Sequence, residues 1–534
     1  MSGSRGTVRT LNISILAMTL LLCAGATWLP CTAAAVVTQP KGPASDPLAL
    51  LAVQQVQLTA SDGATSDWFG HSVALSGDTA LVGASQRAAA YVFVRSAGVW
   101  TQDAILTPTP TPDTAWGGFG DSVALSGDIA LVRALGAAYV FVRSGGVWTQ
   151  EAELAAEGGE ASSFGSAAAL SADGQTALVG APTGGNVAQG AAYVFGRSAG
   201  VWTREALLTA PDGAAGNWFG RSVALSGDGA TALIGAPEHD VGGNPHQGAA
   251  YVFGRSGGVW TQKARLTARD GFRRDFFGFA VALSGDTALV GAPRETINLR
   301  GRKGLAYVFE LSGGVWAQAA RLSAHEDDTG DRFGCAVALS GDTALVGAPS
   351  RGFGNFHAAA VCVFVRHGGA WTPQAPLVED ELGPLVEDGF GYSAFSGDGA
   401  TALVGAPEHD VGGNVQQGVV YVFALDGPPD TRAPSTKASA ATMRVLGTGE
   451  TWGELKYVVS DPLPSIGAAT VTIQIKKGAE IVATIRVGVR PTNTPLVYDC
   501  FEELKKGSYT WRVLATDLAG HAASRITPAK LTVK

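Results

Sequence analysis

A Phe-Gly pair recurs seven times along the chain, at Phe69, Phe119, Phe164, Phe219, Phe277, Phe333 and Phe390, with spacings of 50, 45, 55, 58, 56 and 57 residues. Self-similarity at such a period belongs to solenoids, propellers and arrays, so it constrains the fold before any single segment is read. Each unit holds four short strand-like runs. In the fourth unit they are residues 222–226, 231–236, 249–253 and 259–267, joined by Gly227-Asp228-Gly229, a loop, and Ser256-Gly257-Gly258. Turns rich in Gly and Asp between apolar runs signal hairpins, because glycine takes positive φ without steric cost. Runs such as Ala192-Tyr193-Val194-Phe195 are apolar on both faces, as a sheet packed between two others requires. The expectation is an all-β fold: four-stranded antiparallel blades in a seven-bladed β-propeller.

The ends of the repeat region fit closure of a ring. The last unit stops after its third run, while a spare run at residues 53–59, containing Gln54-Gln55-Val56-Gln57-Leu58-Thr59, precedes the first unit. An N-terminal strand that completes the final blade removes two exposed edges. An open solenoid has no use for that offset.

With these residues assembled, the units resemble FG-GAP repeats, the blades of the integrin α-subunit head and of many bacterial exported proteins. The second half of that signature, Gly-Ala-Pro, begins at Gly180, Gly235, Gly291, Gly347 and Gly405. The first unit has Gly83-Ala84-Ser85 instead, and the second only Arg133-Ala134-Leu135. The resemblance implies an extracellular binding or adhesion role. It also raises the question of calcium, which integrin-type blades often hold in the first turn through several aspartates spaced two apart. Here each turn offers a single carboxylate, from Asp78, Asp128, Asp173, Asp228, Asp286, Asp342 or Asp398. Calcium takes six to eight oxygens, so these residues read as hairpin stabilisers and no metal or other cofactor is expected.

The chain's 534 residues divide further. Residues 1–35 read as a signal peptide, with Arg5 and Arg9 before an apolar run and Ala33-Ala34-Ala35 for cleavage; a retained anchor is the alternative. Residues 36–52 form a linker, 53–426 the propeller and 427–438 a second linker. Residues 439–534 carry longer alternating runs such as Thr470-Val471-Thr472-Ile473-Gln474-Ile475, the pattern of a small immunoglobulin- or fibronectin-type β-sandwich. The expected location is secreted or cell-surface, with no transmembrane span after signal removal, and the expected state is a monomer. A net charge of -8 argues against a nucleic-acid partner, which needs a basic face.

Three apparent sites are weighed on residue chemistry. Gly196-Arg197-Ser198-Ala199-Gly200 and Gly254-Arg255-Ser256-Gly257-Gly258 match the esterase pattern, but they join two strands rather than a strand and a helix, and so read as hairpins. Glu238-His239-Asp240 and Glu408-His409-Asp410 lie three blades apart and cannot share an ion; they read as solvated loop residues, with a local site near His246 as the alternative. Cys335 and Cys362, placed on the first and third strands of one blade, fall roughly 9–10 Å apart and beyond disulfide reach, which predicts two buried free thiols.

In an up-and-down blade, the second-to-third loops and the crossings between blades share one face, and here these are the segments that vary. The candidate ligand-binding residues are Asp327, Asp328 and Asp331 in the crossing into blade six, Glu379 and Asp380 in the next, and Arg294, Arg300, Arg302 and Lys303 in the blade-five loop. They read either as an electrostatic docking patch for a protein or glycan or as a solvated rim. An enzyme, a hydrolase or lyase, needs acids and bases converging at the axis. The inner runs, such as Ser166-Ala167-Ala168-Ala169-Leu170, offer few, so no enzyme is expected. A passive structural part of an envelope assembly stays open as a third reading.

Overall fold

The computed structural model describes residues 53–534 apart from 110–117, 135, 157–162, 184–188, 294–303, 324–331, 350–359, 375, 378–391, 396–398, 426–434, 446–450, 461–467, 492–494, 503 and 518–521. No helix is found among the described residues, and seven four-stranded antiparallel sheets follow one another along the chain. The protein is a seven-bladed β-propeller. Blade four is representative: Val223–Leu225, Thr231–Ala236, Ala249–Ser256 and Val259–Leu266 pair in order. Its last hairpin closes with Ser256 opposite Val259, so the esterase-like motif is a two-stranded turn.

Blade seven is built from both ends of the repeat region. Tyr392–Phe395, Thr401–Ala406 and Val419–Ala424 are completed by Val53–Leu58, which runs antiparallel to the third strand with Val53 opposite Ala424 and Leu58 opposite Val420. The strand missing from the last unit is therefore supplied by the spare run before the first.

The cores lie between blades rather than within them. Leu233, Ala250 and Val252 of blade four pack with Phe277, Val290, Tyr307 and Phe309 of blade five, and similar clusters link the other neighbours. The Phe of the six described Phe-Gly pairs anchors such a cluster, fully buried and tilted or edge-on to aromatics of its own third strand. Phe219 lies 5.4 Å from Tyr251 and 6.1 Å from Phe253. The two halves of the repeat signature meet across the blade boundary. A Cβ on Gly235 would stand 2.0 Å from the carbonyl oxygen of Gly278, and one on Gly180 would stand 2.0 Å from that of Gly220. Only glycine permits backbones to come this close.

The C-terminal strands form a separate nine-stranded sheet. Glu480–Pro491, Ala468–Lys477, Gly507–Asp517, Ala529–Val533, Ala441–Val445, Thr451–Ser460, Ser435–Ala438 and Arg525–Thr527 lie in that order, and Pro495–Glu502 pairs with Thr451–Ser460. Their buried residues include Leu455, Tyr457, Ile473, Trp511 and Leu531. The indole of Trp511 donates to the Ser439 carbonyl at 3.0 Å, which satisfies the polar end of an otherwise apolar ring.

Candidate functional site: the crossing face and its axial opening

Each of the six described Phe-Gly pairs occupies a tight turn where the chain passes from an outer strand to the inner strand of the next blade; the seventh, at Phe390, lies outside the described residues. The N–H after the glycine returns to the carbonyl before the phenylalanine. It does so from His71 to Trp68 (3.2 Å), Asp121 to Gly118 (3.1 Å), Ser166 to Ser163 (3.2 Å), Arg221 to Trp218 (3.0 Å), Phe279 to Phe276 (3.0 Å) and Cys335 to Arg332 (3.0 Å). The residue before phenylalanine also takes left-handed backbone at Trp68 (φ 55°), Trp218 (56°), Phe276 (54°) and Arg332 (52°). That conformation costs a bulky residue about 1–2 kcal/mol and persists only where the surroundings impose it. Each of these six turns thus holds a variable residue after Gly, and all but the Gly118 turn carry a side chain before Phe as well.

The residues after glycine start the inner strands and surround the axis. Asp121 forms an ion pair with Arg133, which stands where most units have the Gly of Gly-Ala-Pro. His71 Nδ1 lies 4.0 Å from Asp121, and Trp68 stacks on the imidazole with ring centres 6.0 Å apart. Arg221 places its guanidinium carbon 4.8 Å from the centre of the Phe279 ring. Burial holds His71 below the ordinary imidazole value; Asp121 opposes the shift, and the charges of Arg133 and Arg221 reinforce it. Arg221 belongs to blade four and His71 to blade one, and the charge of one reaches the other because both start inner strands around a common axis. With His71 neutral, Asp121, Arg133 and Arg221 sum to one positive charge. Arg133 Nε is buried and has no hydrogen-bond partner among the described residues.

This cluster escaped the sequence reading, which found the inner runs nearly bare of charge. The signal was available: the position after Phe-Gly reads His71, Asp121, Ser166, Arg221, Phe279 and Cys335 in turn, while the neighbouring strand positions repeat Val-Ala-Leu with little change.

The two Glu-His-Asp segments are a correction. Asp240 and Asp410 are exposed as expected, but His239 is buried, and the segments act as clasps at the blade 4–5 and 7–1 boundaries. The backbone carbonyls of His246 and Gln247 accept from Phe276 (3.2 Å) and Phe277 (2.9 Å), as those of Gln416 and Gln417 accept from Trp68 (3.3 Å) and Phe69 (2.9 Å). Asn244 and Asn414 each donate to the glutamine three residues on, at 3.0 and 2.8 Å. His239 is only 5% exposed. Its Nδ1 lies 3.0 Å from Asn217 Oδ1, which fixes the proton on Nδ1, and its Nε2 lies 3.7 Å from Asp212. Burial keeps this imidazole below its ordinary value, and Arg265 acts in the same direction against Asp212 and Asp240. Burial raises the Asp212 carboxyl, but hydrogen bonds from Tyr251 and Arg265 outweigh it and leave the group below the usual range.

On the opposite face the turn carboxylates play two parts. Asp173 and Asp228 close their own hairpins, accepting from Ser171 (2.5 Å) and Ser226 (2.5 Å) and from the backbone N–H of Gln175 and Ala230. Asp78, Asp128 and Asp342 instead accept from third-strand arginines, Arg95 (2.6 Å), Arg143 (2.7 Å) and Arg366 (2.6 Å). A shallow groove of ≈ 330 Å³ between blades five and six holds Asp286, Glu310 and Arg366, but Arg366 is already bound to Glu310 (2.8 Å) and Asp342. Among the described residues no group of three His, Cys, Asp or Glu could hold a metal ion. Cys335 and Cys362 form no disulfide, as expected, but both are only partly buried, and Cys335 sits in the Phe-Gly turn ahead of Val337–Ser340 rather than on the strand.

The loop candidates Asp327, Asp328, Asp331, Glu379, Asp380, Arg294, Arg300, Arg302 and Lys303 all lie outside the described residues. The strands that flank them are placed. Leu305–Ser312 follows the basic loop, and the two acidic crossings lead into blades six and seven.

The FG-GAP repeat family matches residues 52–93, 148–195, 202–253, 260–309 and 316–364. Each stretch runs from the outer strand of one blade to the third strand of the next, so the sequence unit is offset from the blade by one strand. No curated protein matches the chain. Among solved structures, the crystal structure of RRP9 WD40 repeats matches at 10% identity with a TM-score of 0.46, covering 70% of this chain and 99% of that one. No helix of the described residues is long and apolar enough to cross a membrane.

Proposed function

Starting from a propeller that carries FG-GAP repeats, we propose that this protein is an extracellular or surface binding module that recognises a protein or glycan through its crossing face. One observation carries the reading. Side chains that differ from unit to unit gather in the turns and loops of this face, while the strands beneath repeat almost unchanged. Binding residues usually stand on variable segments held by a rigid scaffold. The basic, apolar and small-residue stretches of residues 1–35 support export. The C-terminal sheet is read as an immunoglobulin-like sandwich that extends the module, which its Trp511-centred core supports.

A propeller hydrolase or lyase is the second reading, favoured by the approach of His71 to Asp121 at the axis. Both readings are tested with residues 36–534 on arrays of glycans and matrix proteins. The companion variant is neutral at Asp327, Asp328, Asp331, Arg300, Arg302 and Lys303. Saturable binding that the folded variant loses places recognition on the charged loops. Binding that it keeps moves the site to the axial opening, and chemical change of a bound glycan favours the enzyme. A blank array sinks the recognition reading and leaves a structural role.

A further inference from the structure

The loop at residues 237–248 of blade four ties together two successive crossings. On one side it holds the crossing into blade five, whose Phe276 and Phe277 N–H groups donate to the carbonyls of His246 and Gln247. On the other it holds the crossing into blade four. His239 Nδ1–H donates to Asn217 Oδ1 at 3.0 Å, and Asn217 Nδ2 donates to the Glu238 carbonyl at 3.4 Å. The same Asn217 oxygen accepts from the Ala214 N–H at 2.6 Å, so the imidazole must be the donor in this pair. Nε2 of His239 is then bare, 3.7 Å from Asp212 and 3.5 Å from the Tyr251 hydroxyl. The hydroxyl proton is already committed to Asp212, at 2.8 Å.

Every carboxylate around this imidazole is engaged elsewhere. Asp212 of the crossing is held by Tyr251 of the third strand and Arg265 of the outer strand. Asp240 accepts from the His246 N–H at 2.9 Å, and Glu238 pairs with the His246 ring. A second proton on a ring only 5% exposed therefore finds no unengaged acceptor, and a buried charge without one is costly. Turning the ring out into water relieves that cost and breaks the bond to Asn217. The loop is also under tension, because His246 takes left-handed backbone at φ 54°, which a residue other than glycine adopts only when its surroundings impose it.

We infer that this loop is an acid-released latch: protonated His239 leaves its seat, and the crossing at residues 212–217, with the exposed Trp218 after it, comes free of the loop. The latch stands apart from the recognition reading, since it governs the shape of the crossing face whatever binds there. Burial and the charge of Arg265 oppose protonation of the seated ring and outweigh Asp212 and Asp240, which favour it. The freed ring titrates near the ordinary 6.5 and the seated ring lower. Opening therefore gains as pH falls below about 6.5, until the seated ring itself takes the proton. In the matching loop of blade seven Gln416 stands where His246 does, so the His246–Glu238 pair is not what such a loop requires.

The test is hydrogen–deuterium exchange on residues 36–534 at pH 7.5, 6.5 and 5.5, with rates corrected for the intrinsic pH dependence of exchange. The amides of Ala214, Asn217 and Gly248 should open up to roughly tenfold more often at pH 5.5 than at 7.5, the factor that a freed imidazole of ordinary pKa allows. The strands Thr231–Ala236 and Ala249–Ser256 should keep their protection, which separates release of the latch from unfolding of the blade. His239→Gln, neutral at every pH, should abolish the rise. Arg265→Gln should shrink it, because Asp212 is then free to pair with the protonated ring; simple loss of an ion pair would instead raise opening equally at every pH. His246→Gln should leave it in place. Corrected rates that ignore pH, or an equal rise in His239→Gln, overturn the latch. So does a rise that spreads to both strands, which marks global unfolding. Should His239→Gln fail to fold, an undiminished rise in Arg265→Gln overturns it instead.

Discussion

At the scale of single residues, the fold depends on glycines that no other residue can replace. Gly235, Gly291 and Gly405 each let the carbonyl oxygen of a Phe-Gly glycine on the next blade approach to within 2.0 Å of where a Cβ would lie. A methyl group there pushes two blades apart along a shared core. Gly235→Ala is therefore expected to destabilise the propeller by about 3 kcal/mol or more, at the upper end of overpacking costs. Gly257→Ala is the control: its φ is 57° but its surroundings are open, so only the conformational cost of about 1 kcal/mol remains. Urea unfolding of the pair measures the difference, and equal midpoints would refute the close-packing account. Blade two shows how the rule is relaxed. Arg133 replaces the glycine, and its side chain is tied to Asp121 at the axis.

At the scale of elements, the clasp of blade four carries a pH dependence. His239 is buried against Asn217, and its folded-state value lies below the ordinary 6.5, so folding holds it neutral. The unfolded chain binds the proton first as pH falls. The stability this group contributes is complete above about pH 6.5 and is lost as pH drops from there toward the lower folded value. The urea midpoint should fall between pH 7.5 and 5, and His239→Gln should flatten that fall. His71, shifted in the same direction, leaves part of the slope in place. An identical slope in the variant would show that His239 does not titrate with folding.

The same elements show what was legible beforehand. Blade number and the borrowed strand could be read because they follow from local runs, turn glycines and one missing run. Phe69 through Phe333 announced the inter-blade cores by their spacing alone. The burial of His239 could not be read, because Asn217 lies 22 residues away across a crossing. The axial cluster was hidden for a related reason: the charge of Arg221 reaches His71 only once the ring has closed. The variability after each Phe-Gly pair was nevertheless in plain view.

For the whole molecule, the pairing of Val53–Leu58 with Val419–Ala424 is what closes the ring. Removing residues up to Leu58 leaves the third strand of blade seven as an open edge and strips Leu58 from the core it shares with Val420 and Val422. The expected outcome is association through that edge, visible as a shift in size-exclusion chromatography. A peptide spanning residues 53–60 should reverse it. A truncated chain that stays monomeric and equally stable would mean that closure is not what this strand provides.

That pairing also sets a clock. Val53 leaves the ribosome 371 residues before its partner Ala424, counting from 53 to 424. At about 5–20 residues per second, the interval is roughly 20 to 75 s. Throughout it, the first blade and the newest one each lack a neighbour on one side, and the closing strand waits unpaired at the far end of the nascent chain. The ring cannot be sealed before Ala424 has been made, so its completion is a single late event, and exposure to aggregation and proteolysis is concentrated before it.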